Sequence, residues 1–121
     1  MTVLYIEDDG DYRDIFRDAI SVIAPHTKCF YANDAREAKE FLITRVALDY
    51  IFLDLHLPDL NGESLLQEIK NIEHQKSVPV VMFTTSDSDI DMLTCRRLGA
   101  FDFVTKGQNF SSICSSLKKF L

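Results

Sequence analysis

Apolar residues fall along the chain in two alternating periods. Thr2 to Ile6 is a short, β-rich apolar run that stops at Glu7-Asp8-Asp9-Gly10-Asp11. Tyr12, Ile15, Phe16, Ala19 and Ile23 then recur at helical spacing with Pro25 just beyond, which predicts a helix over residues 11–24. Lys28 to Ala32 reads as a second strand. Asn33 or Asp34 can cap a helix whose buried face is Ala35, Ala38, Phe41 and Leu42. Tyr50-Ile51-Phe52-Leu53 runs straight into Asp54, and Pro58, Asn61 and Gly62 break the chain after it. An apolar run bounded by turn signals suits a strand buried on both faces. Leu65, Leu66, Ile69 and Ile72 mark a helix starting near Asn61.

Val78 to Phe83 is a fourth strand, with Pro79 at its start where a missing N–H is tolerated, and it ends in Thr84-Thr85-Ser86. Ser86 or Asp87 caps a weaker helix that carries Ile90 and Leu93 and closes with Arg96, Arg97 and Gly99. Ala100 to Val104 is a fifth strand, followed by Thr105-Lys106-Gly107. A last helix has Phe110, Ile113, Cys114, Leu117 and Leu121 on one stripe. Strands alternating with helices imply an α/β protein: a parallel sheet covered by helices on both faces, with right-handed crossovers.

Composition narrows the setting. A chain of 121 residues is read as one domain, 1–121, large enough for a core without staples. The net charge of −6 and scattered Lys and Arg make it a poor nucleic-acid binder. Cys29, Cys95 and Cys114 lie inside apolar patterns with no CxxC spacing, so buried reduced thiols and a cytoplasmic location are expected. No signal peptide is read at the start, and no apolar stretch approaches bilayer-spanning length, so no membrane partner is expected.

The candidate chemistry lies at the strand ends. Glu7 with Asp8, Asp54, Thr84 and Lys106 each follow or close a strand, and a parallel sheet gathers such ends along the edge where ligands bind. Taken singly, the acids suit a helix start, Thr84 a cap and Lys106 the surface. Taken together, three carboxylates would repel and raise one another's pKa unless positive charge intervenes. Lys106 supplies one charge, and a hard divalent cation is the natural second for oxygen-only ligands, Mg²⁺ above all. The Thr84 hydroxyl and the Thr85 N–H suit phosphoryl oxygens. Asp54, so flanked, is set up to attack phosphorus and form an aspartyl-phosphate.

Glu7-Asp8 after Val3-Leu4-Tyr5-Ile6, Asp54 with Pro58 and Gly62 behind it, Thr84 after Pro79-Val80-Val81-Met82-Phe83, then Gly99-Ala100, Phe103 and Lys106 form an ordered set spanning the chain. In that set the sequence resembles the receiver domain of two-component response regulators. The resemblance implies a flavodoxin-like three-layer sandwich, a five-stranded parallel sheet of order 2-1-3-4-5 with five helices. It implies that Asp54 accepts a phosphoryl group from a sensor histidine kinase or a phosphotransfer protein. Glu7, Asp8, Asp54 and the backbone carbonyl of His56 would hold Mg²⁺, with Mn²⁺ a substitute. Thr84 and Lys106 would bind the phosphoryl oxygens, and Thr84 with Phe103 would form a switch. That switch would repack the face made by the fourth helix, fifth strand and fifth helix, which would serve an output domain, a protein partner or a homodimer.

Such a domain is no turnover enzyme, although it catalyses its own phosphorylation and slow autodephosphorylation. Gly107 stands where most of the family has proline, and Phe103 where many members have tyrosine. Phe101 is expected either to be buried by the neighbouring helices or to add to a partner surface. The His56 side chain is expected to border the phosphoryl group, as a bystander or as a group that tunes its lifetime. Two other readings stay open: a degenerate receiver that binds partners without phosphorylation, and an aspartyl-phosphate phosphatase of the haloacid dehalogenase type. The phosphatase wants a second aspartate where His56 stands.

Overall fold

A computed structural model describes residues 1–107 and 109–121. The elements run β1 (Thr2–Ile6), α1 (Gly10–Ile23), β2 (Lys28–Ala32), α2 (Ala35–Leu42), β3 (Tyr50–Leu53), α3 (Gly62–Lys70), β4 (Val80–Thr84), α4 (Asp89–Arg97), β5 (Asp102–Thr105) and α5 (Phe110–Leu117). All neighbouring strands are parallel, in the order β2-β1-β3-β4-β5. The flavodoxin-like architecture expected from the sequence is therefore the one observed.

Strand alternation builds the two core layers. Leu4 and Ile6, Ile51 and Leu53, Val80 and Met82 face α2, α3 and α4. Val3 and Tyr5, Phe52, Val81 and Phe83 face α1 and α5. Successive side chains of a strand point to opposite faces, so each central strand feeds both layers. On the α1 side Tyr5 stacks on Phe16, with ring centroids 4.2 Å apart, and Phe52 and Phe83 close edge-on around Phe16. Each helix starts on a side chain that accepts one of its unpaired N–H groups: Asp9, Asp34, Asn61, Ser88 and Asn109.

Several boundaries differ from the sequence reading. β4 begins at Val80 rather than Val78, leaving Pro79 outside the strand with its carbonyl accepting from Ile51 N–H. β5 begins at Asp102 rather than Ala100. The cap of α4 is Ser88, not Ser86 or Asp87, because the Ser86 carbonyl is held by the Thr105 hydroxyl at 2.8 Å outside the helix. Ile90 and Leu93 are 76% and 61% exposed, and Cys95 is the buried residue of α4. Ile20, absent from the expected stripe of α1, is buried, while Tyr12 and Ile23 are half-buried and Ile72 lies past the end of α3. All three thiols are free. Only Cys95 is fully buried, and burial pushes its thiol up to about 11.

Two glycines are required by close approach. A Cβ on Gly62 would lie 2.4 Å from the carbonyl oxygen of Asp54, and Gly62 N–H donates to Leu55 O at 2.8 Å. The start of α3 is thereby pressed onto the backbone that carries Asp54. A Cβ on Gly107 would lie 2.3 Å from the Ser112 Cβ of α5, which leaves no room there for a proline ring.

Candidate functional site

Backbone pairing brings the strand ends level. Asp54 N–H donates to Ile6 O at 3.2 Å and Lys106 N–H to Thr84 O at 2.6 Å. The C-terminal ends of β1 and β3 are thereby set side by side, and so are those of β4 and β5. Glu7, Asp8 and Asp54 consequently present carboxylate oxygens that all lie within 4.8 Å of one another. Glu7 and Asp54 are only 1% and 6% exposed, and Asp8 is open to solvent.

Lys106 answers the charge. Its buried ammonium donates to Glu7 Oε1 and stands 4.0 Å from Asp54 Oδ1. Its other side faces the Tyr12 ring, 3.9 Å from the centroid, where a cation is held by the ring quadrupole. The Tyr5 hydroxyl donates to the same Glu7 Oε1 at 3.1 Å, and Arg13 donates to the Glu7 backbone carbonyl at 2.8 Å. Burial raises the Glu7 carboxyl above its ordinary range, against the opposing pull of Lys106. Partial burial and the neighbouring Glu7 raise Asp8 as well. Burial, with Glu7 beside it, holds the Tyr5 phenol far above its usual range and hence protonated.

Among the described residues Asp54 Oδ1 is the one buried side-chain oxygen or nitrogen without a partner. A buried carboxylate oxygen left unpaired is costly, and its neighbours here are two more carboxylates. A divalent cation is the group that fits such an all-oxygen set, and Glu7, Asp8 and Asp54 are the side chains placed to hold it. The pocket they open onto is about 210 Å³, walled also by Tyr12, His56 and Thr85. Larger cavities exist, such as one of about 370 Å³ between Arg45, Leu48 and His74, but it gathers no carboxylates. Chemistry, not size, singles out the acidic pocket.

The remaining site residues divide between the pocket rim and the core. His56 is exposed on the rim. Thr84 is fully buried at the end of β4 and turns its hydroxyl to accept from Ser86 N–H at 3.3 Å, and Thr85 rather than Thr84 lines the pocket. Phe103 is buried in the layer beneath α3 and α4. Phe101 is exposed rather than covered by its neighbours, and its ring lies 6.2 Å from that of Tyr50 at the start of β3, away from the acidic edge. Sequence reasoning missed Tyr5 and Tyr12 as parts of the site. The available signal was spacing: Tyr5 precedes Glu7 by two residues along a strand, and so shares its face.

A family model for the response regulator receiver domain matches residues 3–118. The regulatory protein VanRc of Enterococcus gallinarum is 30% identical over 116 residues, 96% of this chain and 48% of that protein. The phosphate regulon transcriptional regulatory protein PhoB of Pseudomonas aeruginosa is 25% identical over 120 residues, 99% of this chain and 51% of that protein. The chain thus spans about half the length of both regulators. Among solved structures, the phosphorylated cyanobacterial phytochrome response regulator RcpA superposes with a TM-score of 0.88 at 26% identity, covering 98% of this chain and 89% of that one.

Proposed function

Because the chain belongs to the family of response regulator receiver domains, we propose that Asp54 is the phosphoacceptor of a two-component signalling pathway. The observation that carries this reading is the buried, unpartnered Asp54 Oδ1, set among two further carboxylates and 4.0 Å from the Lys106 ammonium. RcpA, a relative of the same fold, is a phosphorylated response regulator, which supports it.

In the proposed step an Asp54 carboxylate oxygen attacks the phosphorus of a phosphohistidine on a sensor kinase or phosphotransfer protein. The P–N bond breaks, the imidazole leaves, and an acyl phosphate remains on Asp54. Glu7, Asp8 and Asp54, with the His56 backbone carbonyl, would hold Mg²⁺, or Mn²⁺ in its place. When bound, that ion supplies charge to offset the phosphoryl oxygens. Lys106 moves from Glu7 toward the phosphoryl group. Thr84 turns its hydroxyl from Ser86 N–H to a phosphoryl oxygen. That releases the Ser86 backbone, whose hydroxyl donates to Asp91 of α4 at 2.6 Å. With Phe103 packed beneath α4, the change reaches the α4–β5–α5 face, which would serve an output domain or a second copy of the chain. The domain acts in the cytoplasm and without multiple turnover, catalysing its own phosphorylation and slow dephosphorylation.

Incubation with Mg²⁺ and acetyl phosphate tests the reading by intact-mass spectrometry. A single phosphoryl adduct is expected on the wild type and none on Asp54→Ala. Absence of any adduct on the wild type would leave a phosphorylation-independent binding domain. Rapid turnover of unrelated phosphate esters would instead make the chain a phosphatase.

A further inference from the structure

Glu7 is the most enclosed of the three acids, and its Oε1 is held twice, by Lys106 and by the Tyr5 hydroxyl. Among the described residues Oε2 has only a long contact from Asp9 N–H at 3.4 Å. The two partners of Oε1 differ in permanence. Lys106 is shared with Asp54, 4.0 Å away, and the proposed phosphorylation would draw it from Glu7. Tyr5 cannot follow: its ring is fully buried, stacked on Phe16 and flanked by Phe83 at 5.9 Å and Tyr31 at 6.5 Å.

We propose, resting on the receiver reading, that Tyr5 is the positioning residue of the metal-binding carboxylate Glu7. Its clamped hydroxyl fixes Oε1, leaves Oε2 for the cation, and remains as Glu7's buried partner once Lys106 turns to the phosphoryl group. Such an outer partner orients a ligand and touches no reacting atom, so its loss is expected in metal affinity rather than in the rate at saturating metal. A hydroxyl that merely satisfied a buried phenol would not separate the two.

Tyr5→Phe removes the hydroxyl and keeps the ring. The Mg²⁺ concentration for half-maximal phosphorylation by acetyl phosphate is expected to rise about tenfold, with the rate at saturating Mg²⁺ within about twofold of wild type. Mn²⁺ binding, read directly by electron paramagnetic resonance without any phosphodonor, should weaken by the same factor. Tyr31→Phe, which strips a hydroxyl from the adjacent ring, should change neither. Equal cation affinities in wild type and Tyr5→Phe would overturn the proposal, as would a fall in the saturating rate alone. Should Tyr5→Phe not fold, Tyr12→Phe leaves Tyr5 as the tyrosine at the pocket. Mg²⁺ must then perturb its near-ultraviolet absorbance, and a silent titration sinks the idea. If the wild type takes no phosphoryl group, the receiver reading fails, while Mn²⁺ binding still decides the role of Tyr5.

Discussion

Both carboxylate oxygens of Asp59, in the loop between β3 and α3, accept backbone N–H groups at the start of α2: Ala35 at 2.9 Å and Arg36 at 3.0 Å. Asp34 takes Glu37 N–H at 2.8 Å, so the first turn of α2 is satisfied from two directions. The loop just beyond Asp54 is thereby tied to the neighbouring helix. These bonds hold the Asp59 carboxyl below the usual aspartate range. A depressed folded-state value contributes stability that is present above the unfolded-state pKa and lost as the pH falls through the folded one. Asp59→Asn should therefore cost about 0.5 kcal/mol at neutral pH, the low end of a capping contribution because the group faces water. The difference should shrink as the pH falls below about 3.9. Urea denaturation of both proteins across that range checks it, and a constant gap would contradict the linkage.

Among the elements, α5 is seated by a contact rather than by a propensity. Gly107 and Ser112 are so close that any added Cβ must move the loop or the helix. Gly107→Ala is expected to destabilise the protein by about 1–3 kcal/mol, an overpacking cost, and Ser112→Gly in the same chain should recover most of it. A double-mutant cycle by chemical denaturation measures the recovery, and additive losses would show that the contact is not the cause.

The elements themselves were legible because β1, β3 and β4 are dense apolar runs and α1, α2 and α3 carry apolar residues at helical spacing. What was not legible was which face packing selects. α4 covers the edge of the sheet, so its apolar residues did not indicate its buried side: Cys95 is inside while Ile90 and Leu93 are out. The acids and Lys106 could be read from strand ends alone. The orientation of Thr84 could not, since its hydroxyl depends on Ser86 N–H, a partner that exists only in the folded loop.

Across the whole molecule, β5 is an edge strand, and α4 beside it carries exposed apolar side chains, Ile90 and Leu93. Apolar residues left open next to a proposed switch fit a surface that finds a partner on demand. With Mg²⁺ and acetyl phosphate, the wild type is expected to gain mass toward a dimer by light scattering. The double substitution Ile90→Ser with Leu93→Ser should remain monomeric while still taking the phosphoryl group. Monomeric wild type under full phosphorylation would remove the dimer and leave a different partner for that face.

The pairing of Glu7 with Lys106 joins residues 99 positions apart, from two strands that are not neighbours in the sheet. During synthesis the chain therefore exposes its first acids long before their lysine exists. The acidic edge carries its full repulsion until the final strand docks and Lys106 offsets one of its three charges. A chain that has not yet reached Lys106 lacks the ammonium that lets Glu7 sit buried beside Asp54, so this acidic pocket can take its folded form only after the last strand is in place.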